Sequence, residues 1–174
     1  MTERADAERP AATVPPGVAG VLSAYAAGVT LVTIADGRDD IGTTVSAFCP
    51  VSLEPPLVLI SLTAASYPAE RLGGPVGRFA VCLLATGQRL LAGRFAAAGR
   101  PSARRMLDAV PHTRGELSGA LIPGGGLAAL ECEVAQRIPA GDHLVLIARV
   151  LAVPYQAPAG DPLIRFRGRY PALR

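Results

Sequence analysis

Small hydroxyl side chains crowd the segment from Ile41 to Ser66. Thr43, Thr44 and Ser46 enter an apolar stretch, Ser52 and Glu54 sit in the turn-like "CPVSLEPP", and Ser61, Thr63 and Ser66 close a nearly pure apolar run. On a strand such residues often serve only as β-formers or as a solvent-facing row. Gathered at one rim, with exposed backbone N–H groups between them, they also suit the hydroxyls of a polyol and a phosphate without obstructing a flat aromatic ring.

Other chemistries are poorly provided for. His112 and His143 are the only histidines, and neither stands at metal-ligand spacing from a carboxylate or beside a G-x-S-x-G serine. His112, in a mixed stretch, reads as solvated. His143 follows Gly141-Asp142 at the head of an apolar run, where a sheet rim would present it, and structural and functional roles stay equally open for it. Gly124, Gly126 and Ala129 have the spacing of a dinucleotide fingerprint, but a strand-like segment follows where a helix is needed, so the glycines read as a flexible approach to that strand. A Walker-type loop is absent.

The elements that must position these residues follow from periodicity. Residues 1 to 14 are charged and alanine-rich, and are expected to form a frayed tail ahead of a single domain over 15–174. Val18, Val21, Leu22 and Tyr25 mark a short amphipathic helix stopped at Gly28. Val29 to Ala35 and Ile41 to Phe48 read as a hairpin around "DGRDD", and Leu57 to Leu62 as a strand covered on both faces. One or two helical turns from Tyr67, a strand "RFAVCLLA" and a helix in "GQRLLAGRFAAAG" come next, then a turn-rich stretch from 99 to 126. Two strands joined by "PAGD" and a closing segment "LIRFRGRY" complete a mainly β fold with short helices, a barrel or sandwich.

Composition sets the outer limits. Half of the 174 residues are apolar and 18% charged, enough for a buried core. The net charge of +3 comes from scattered arginines and no run of like charges occurs, so no nucleic-acid partner is implied. No signal-peptide pattern or spanning apolar run is present, which leads to the expectation of a soluble, cytoplasmic protein without a membrane partner. Cys49, Cys82 and Cys132 are widely spaced, lie in apolar stretches and read as buried free thiols.

Taken in order, "GVTLVTIADGRDDIGTTVSAFCPVSLEPPLVLISL", "GRFAVCLLA", "LAGRFA", "LECEV", "AGDHLVLIARVLAV" and "PLIRFRGRY" resemble the flavin reductase-like domain over about Pro15 to Leu173. The resemblance implies a split β-barrel that binds FMN (or FAD), usually as a homodimer. It further implies NADH or NADPH as hydride donor and a flavin-dependent oxygenase as partner in two-component monooxygenases. By the same resemblance Thr43, Thr44, Val45 and Ser46 line the flavin, with Ser61 and Leu62 beside its ring and Cys82 and Phe95 close by. Ser66 and Arg94 are assigned to the phosphate, Arg169 to the flavin and pyridine nucleotide, and His143 and Tyr170 to the nicotinamide side. Ala47, Ala64, Ala65 and Cys82 depart from the more polar residues common in the family, which keeps open a flavin-binding protein without NAD(P)H reductase activity, a carrier or a biosynthetic flavoenzyme.

Overall fold

The computed structural model describes residues 14–37 and 39–173, so the expected tail over 1 to 14 lies outside the described residues but for Val14. Helix α1 (Val18–Ser23) forms where the spacing places it, yet its apolar side is uncovered, with Val21 74% and Tyr25 78% exposed. The chain then runs through β1 (Ala27–Gly28), β2 (Thr30–Ile34), β3 (Ile41–Val45), β4 (Phe48–Leu53) and β5 (Pro56–Thr63). Helix α2 (Tyr67–Gly73), β6 (Arg78–Leu83), a 3-10 turn, α3 (Arg89–Ala96) and α4 (Ala103–Met106) follow. A short ribbon of β7 (His112–Arg114) and β8 (Leu121–Pro123) precedes the long hairpin of β9 (Ala128–Ala140) and β10 (His143–Gln156), and β11 (Ile164–Arg165) pairs back onto β1.

Seven strands form one antiparallel sheet in the order β3-β2-β6-β9-β10-β5-β4. Its two edge strands, β3 and β4, are neighbours in sequence, joined only by Ser46 and Ala47. A flat sheet of this size would hold its edges about 29 Å apart at ~4.8 Å per strand. The link from Val45 to Phe48 reaches about 11 Å at full stretch. The sheet therefore curls until its edges meet, and the Ser61 N–H donates to the Ala47 carbonyl across the corner at 3.0 Å. No ladder joins β3 to β4, so the seam stays open and one edge of β3 keeps unpaired backbone groups.

Curling creates an inside and an outside, and each acquires its own core. Val32, Ile34, Val45, Ile60, Phe79, Val81 and Leu146 fill the concave interior. Outside, α3, α4 and β8 cover β2 and β6 and bury Leu31, Ala80, Cys82, Phe95, Leu107 and Ile122. Strands β2 and β6 are thus the ones apolar on both faces. The expectation that the Leu57–Leu62 run is covered twice needs correction: Val58, Ile60 and Leu62 point into the core, while Leu57, Leu59 and Ser61 stay half-buried because no helix reaches that side.

The closing segment "LIRFRGRY" contributes a two-residue strand, after which Arg167 (φ 47) and Gly168 (φ 72) make a tight turn closed by paired hydrogen bonds between Phe166 and Arg169. Two successive left-handed residues are what a type I′ turn requires. Ser52 and Glu54 lie at the far end of the β4–β5 hairpin, about 20 Å of strand beyond Ser46 at ~3.3 Å per residue, and do not join the hydroxyl rim.

In the outer layer β3 and α3 approach closely: a Cβ on Gly42 would stand 2.3 Å from Cε1 of Phe95. Phe95, fully buried, seats the helix on the edge strand. Phe95→Ala should lower the free energy of unfolding by about 3–5 kcal/mol, read from the urea midpoint at an unchanged m-value.

Candidate functional site

Chain segments far apart in sequence meet along the free edge of β3. Thr43, Thr44 and Ser46 form the polar wall of a groove of about 280 Å³, facing Val29, Ala96 and Tyr170, with Arg165 and Gly168 at its end. The turn at Arg167-Gly168 carries Arg165 and Tyr170 to the groove, and the Arg167 N–H ties that turn to the Ser23 carbonyl below α1 at 2.7 Å. Arg89 lies over the Tyr170 ring, 5.8 Å from its centroid, which steadies the apolar wall and brings a positive charge to it.

Hydroxyls elsewhere in the sheet behave differently. Thr30 Oγ1 donates to the Val45 carbonyl at 2.8 Å and Thr33 Oγ1 to the Leu121 carbonyl at 2.6 Å, so both buried threonines are satisfied internally. Among the described residues, Thr43, Thr44 and Ser46 spend no side-chain hydrogen bond within the chain. A row that served only β-propensity would not also line a concave wall with its donors and acceptors open.

Further along β3, past Gly42 and Ile41, a larger cleft of about 880 Å³ lies between α2 and the 98–105 segment. Ser66 is on one side; its hydroxyl caps α2 by accepting from the Ala69 N–H at 3.3 Å, which leaves its own proton to donate. Arg100 and Arg105 are on the other. Both hydrogen bonds of the Arg100 side chain go to carbonyls, those of Gly42 and Ala97, at 2.8 and 3.0 Å, and burial pulls its guanidinium below the ordinary arginine value. Asp39 also borders the cleft. A third hollow, of about 630 Å³, opens beside the groove between Arg89, Leu90 and Gly93 of α3 and Arg169-Tyr170-Pro171.

Thr43, Thr44, Ser46 and Tyr170 thus line the groove, Arg169 and Tyr170 the hollow beside it, and Ser66 the larger cleft. The remaining side chains expected at the site line none of these hollows. Cys82 and Phe95 are fully buried in the outer core, and Val45 and Leu62 point into the concave core. Arg94, assigned to a phosphate, sits on the exposed side of α3 and lines none of these hollows; Arg100 and Arg105 hold the place opposite Ser66. His143 stands on the outer face of the sheet, beside Thr63 of β5, its Nδ1 2.6 Å from Asp142 Oδ1. Ser61 shares that face, half-buried, opposite Val145. His112 is exposed, as read.

Residues that sequence reading missed are Arg165, Gly168, Val29 and Ala96, together with Arg100 and Arg105. The one available signal was "FRGR", whose Arg-Gly pair fits a type I′ turn and would have folded Arg165 and Tyr170 back over one spot. Asp40, beside the cleft, was missed as well. It is 2% exposed, and Arg104 and Arg114 hold its carboxylate at 3.1 and 2.8 Å. Burial alone would raise its pKa, but the hydrogen bonds from Arg114 and Arg104 outweigh that and keep the carboxyl below its ordinary value. Cys49 departs from the expectation of three buried thiols, being exposed on edge strand β4; burial pushes Cys82 and Cys132 up to about 12. Among the described residues no group of three or more His, Cys, Asp or Glu could hold a metal ion, and no helix is long and apolar enough to cross a membrane.

Residues 22–174 match the sequence model of the flavin reductase like domain. The NADH-dependent FMN reductase AsuE2 of Streptomyces nodosus subsp. asukaensis is 34% identical over 147 residues, which cover 84% of this chain and 78% of that protein. The reductase component of 4-hydroxyphenylacetate 3-monooxygenase from Thermus thermophilus is 34% identical over 87% of this chain and 92% of its own. Among solved structures, the NADH:FAD oxidoreductase SgcE6 of Streptomyces globisporus C-1027, in complex with NAD and FAD fragments, superposes with a TM-score of 0.83 at 32% identity, covering 94% of this chain and 98% of that one.

Two measurements check the electrostatics. At pH 8 a thiol reagent such as Ellman's should modify one cysteine of the folded chain, Cys49, and all three after unfolding. Because the folded pKa of Asp40 is depressed, its contribution to stability is complete above the ordinary value of 3.8 and is lost as pH falls below it. Asp40→Asn should therefore be less stable than the parent protein in urea at pH 7, with the gap narrowing below about pH 4.

Proposed function

The chain belongs to the flavin reductase-like domain family, and from that premise we propose that it is an NADH-dependent flavin reductase that delivers reduced FMN or FAD to a partner flavin-dependent oxygenase. The observation that carries the reading is the groove on β3, with open hydroxyls on one wall and Val29, Ala96 and Tyr170 on the other. That donor set fits a flavin: the polar wall matches its sugar-alcohol chain and ring heteroatoms, and the apolar wall matches its ring face.

When bound, flavin supplies a hydride acceptor at N5 and reduced nicotinamide a hydride donor at C4. The chain has to bind, align and dry the two rings. Thr43, Thr44 and Ser46 hydrogen-bond the flavin, aided by the unpaired amides of the β3 edge. Tyr170, steadied by Arg89, keeps water from one side of the ring. Arg169 and the hollow beside α3 offer positive charge where the pyridine nucleotide enters. Ser66, Arg100 and Arg105 take the phosphate, in the place first given to Arg94. No buried acid or base is needed for hydride transfer, in keeping with the lack of any such group in the groove.

The curled sheet is read as a split barrel, its seam at Ser46-Ala47, forming one domain over 15–174. A homodimer is supported by the half-exposed face of β5 and β10, where Leu59 pairs with Ile147 and Ser61 with Val145, and by the uncovered α1. His143 lies at the rim of that face, so its place on the nicotinamide side depends on a second copy. NADH as donor and free cysteines suit a reducing compartment, which supports action in the cytoplasm.

In steady state the protein should oxidise NADH only when FMN or FAD is added. Ser46→Ala should raise the KM for flavin several-fold, about the worth of one hydrogen bond, with little change in kcat. Tightly held flavin that NADH fails to reduce would instead favour a carrier or a biosynthetic flavoenzyme.

A further inference from the structure

We infer that Asp40 is the positioning residue of the phosphate cleft, holding the 98–105 segment on edge strand β3 so that Arg105 and Arg100 face the phosphate of a flavin. The inference rests on the reading of that cleft given above.

Asp40 closes the β2–β3 turn with a left-handed backbone (φ 40), uncommon for a residue with a side chain. It sits at the first step of the edge strand and grips the opposite segment twice. Its carbonyl accepts from the Ala103 N–H at 2.9 Å, and its Oδ2 accepts from Nε and Nη2 of Arg104 at 3.2 and 3.1 Å. Arg114 anchors the same carboxylate from β7, at 2.8 Å, and the Asp36 N–H reaches Oδ1 at 3.4 Å. A carboxylate this buried persists only with such partners. Arg104 and Arg105 are consecutive on α4, so their side chains diverge by about 100° around the helix. With Arg104 drawn to Asp40 and to the Gly37 carbonyl at 2.9 Å, Arg105 is turned toward the cleft it lines. Arg100 completes the fastening through its Nε bond to the Gly42 carbonyl.

Charge alone makes the opposite forecast. Asp40→Asn removes a negative charge beside the cleft and frees two arginines, so by Coulomb's law an anion should bind more tightly. If Asp40 acts by position, the anion binds less tightly because Arg105 and Arg100 lose their aim.

The test is the dissociation constant of oxidised FMN and of riboflavin, measured by quenching of flavin fluorescence, since the two differ only in the phosphate. The parent protein should prefer FMN. Asp40→Asn should cut that preference about tenfold, on the scale of one charge-assisted contact, while riboflavin affinity moves by less than about twofold. Arg104→Lys keeps the charge but loses the two-point grip, and should shift the preference the same way, so the idea stays open to test if Asp40→Asn folds poorly. An unchanged or increased preference for FMN, or a parallel loss of both flavins, overturns the role of Asp40. Arg105→Ala separates the two readings: if it leaves the FMN preference intact, the cleft is not the phosphate site and the premise itself fails.

Discussion

Two residues between the edge strands govern much of this molecule. Ser46 and Ala47 are too short a link for a flat sheet of seven strands, so chain continuity forces the sheet to curl. Hydrophobic burial then acts on a shape already constrained. The inner face closes over one core, and the helices that cannot enter cover β2 and β6 from outside. An uncurled sheet would leave the concave cluster exposed, at roughly 25 cal/mol for each Å² of apolar surface.

The same constraint makes the site. Because the seam closes by contact and not by a ladder, β3 offers one edge of unpaired amides and a row of open hydroxyls at the molecular surface. An edge of this kind is usually a liability, and here its neighbours protect it without pairing it. The C-terminal turn at Arg167-Gly168 and the end of α3 stand on either side and leave a slot between them. Thr30 and Thr33 spend their hydroxyls inside the sheet, while those of Thr43 and Thr44, on alternate faces of the edge strand, make no hydrogen bond within the described chain.

Charge is distributed to the same end. Cations border each hollow: Arg165 at the groove, Arg89 and Arg169 beside α3, Arg100 and Arg105 opposite Ser66. The buried carboxylate beside the larger cleft, Asp40, is already held by two guanidinium groups, those of Arg104 and Arg114.

Periodicity and turn chemistry in the sequence were enough for the hairpins at "DGRDD" and "PAGD", the helix after "GQR" and the hydroxyls on β3, because each depends on neighbours a few residues away, whereas edge strand β4 runs through the stretch read as a turn. Resemblance of ordered motifs brought the family with it. Tertiary structure alone decided which hydroxyls share a wall, since Ser52 looks as eligible as Ser46 until the β4–β5 hairpin carries it to the far end of the strand. It also buried Cys82 and Phe95, put Arg100 and Arg105 across a cleft from Ser66 while Arg94 stayed exposed, and assigned Asp40 its partners 64 and 74 positions away. Contacts at such separations depend on how a curled sheet brings its edges and covering helices together, and no local pattern of residues encodes that distance.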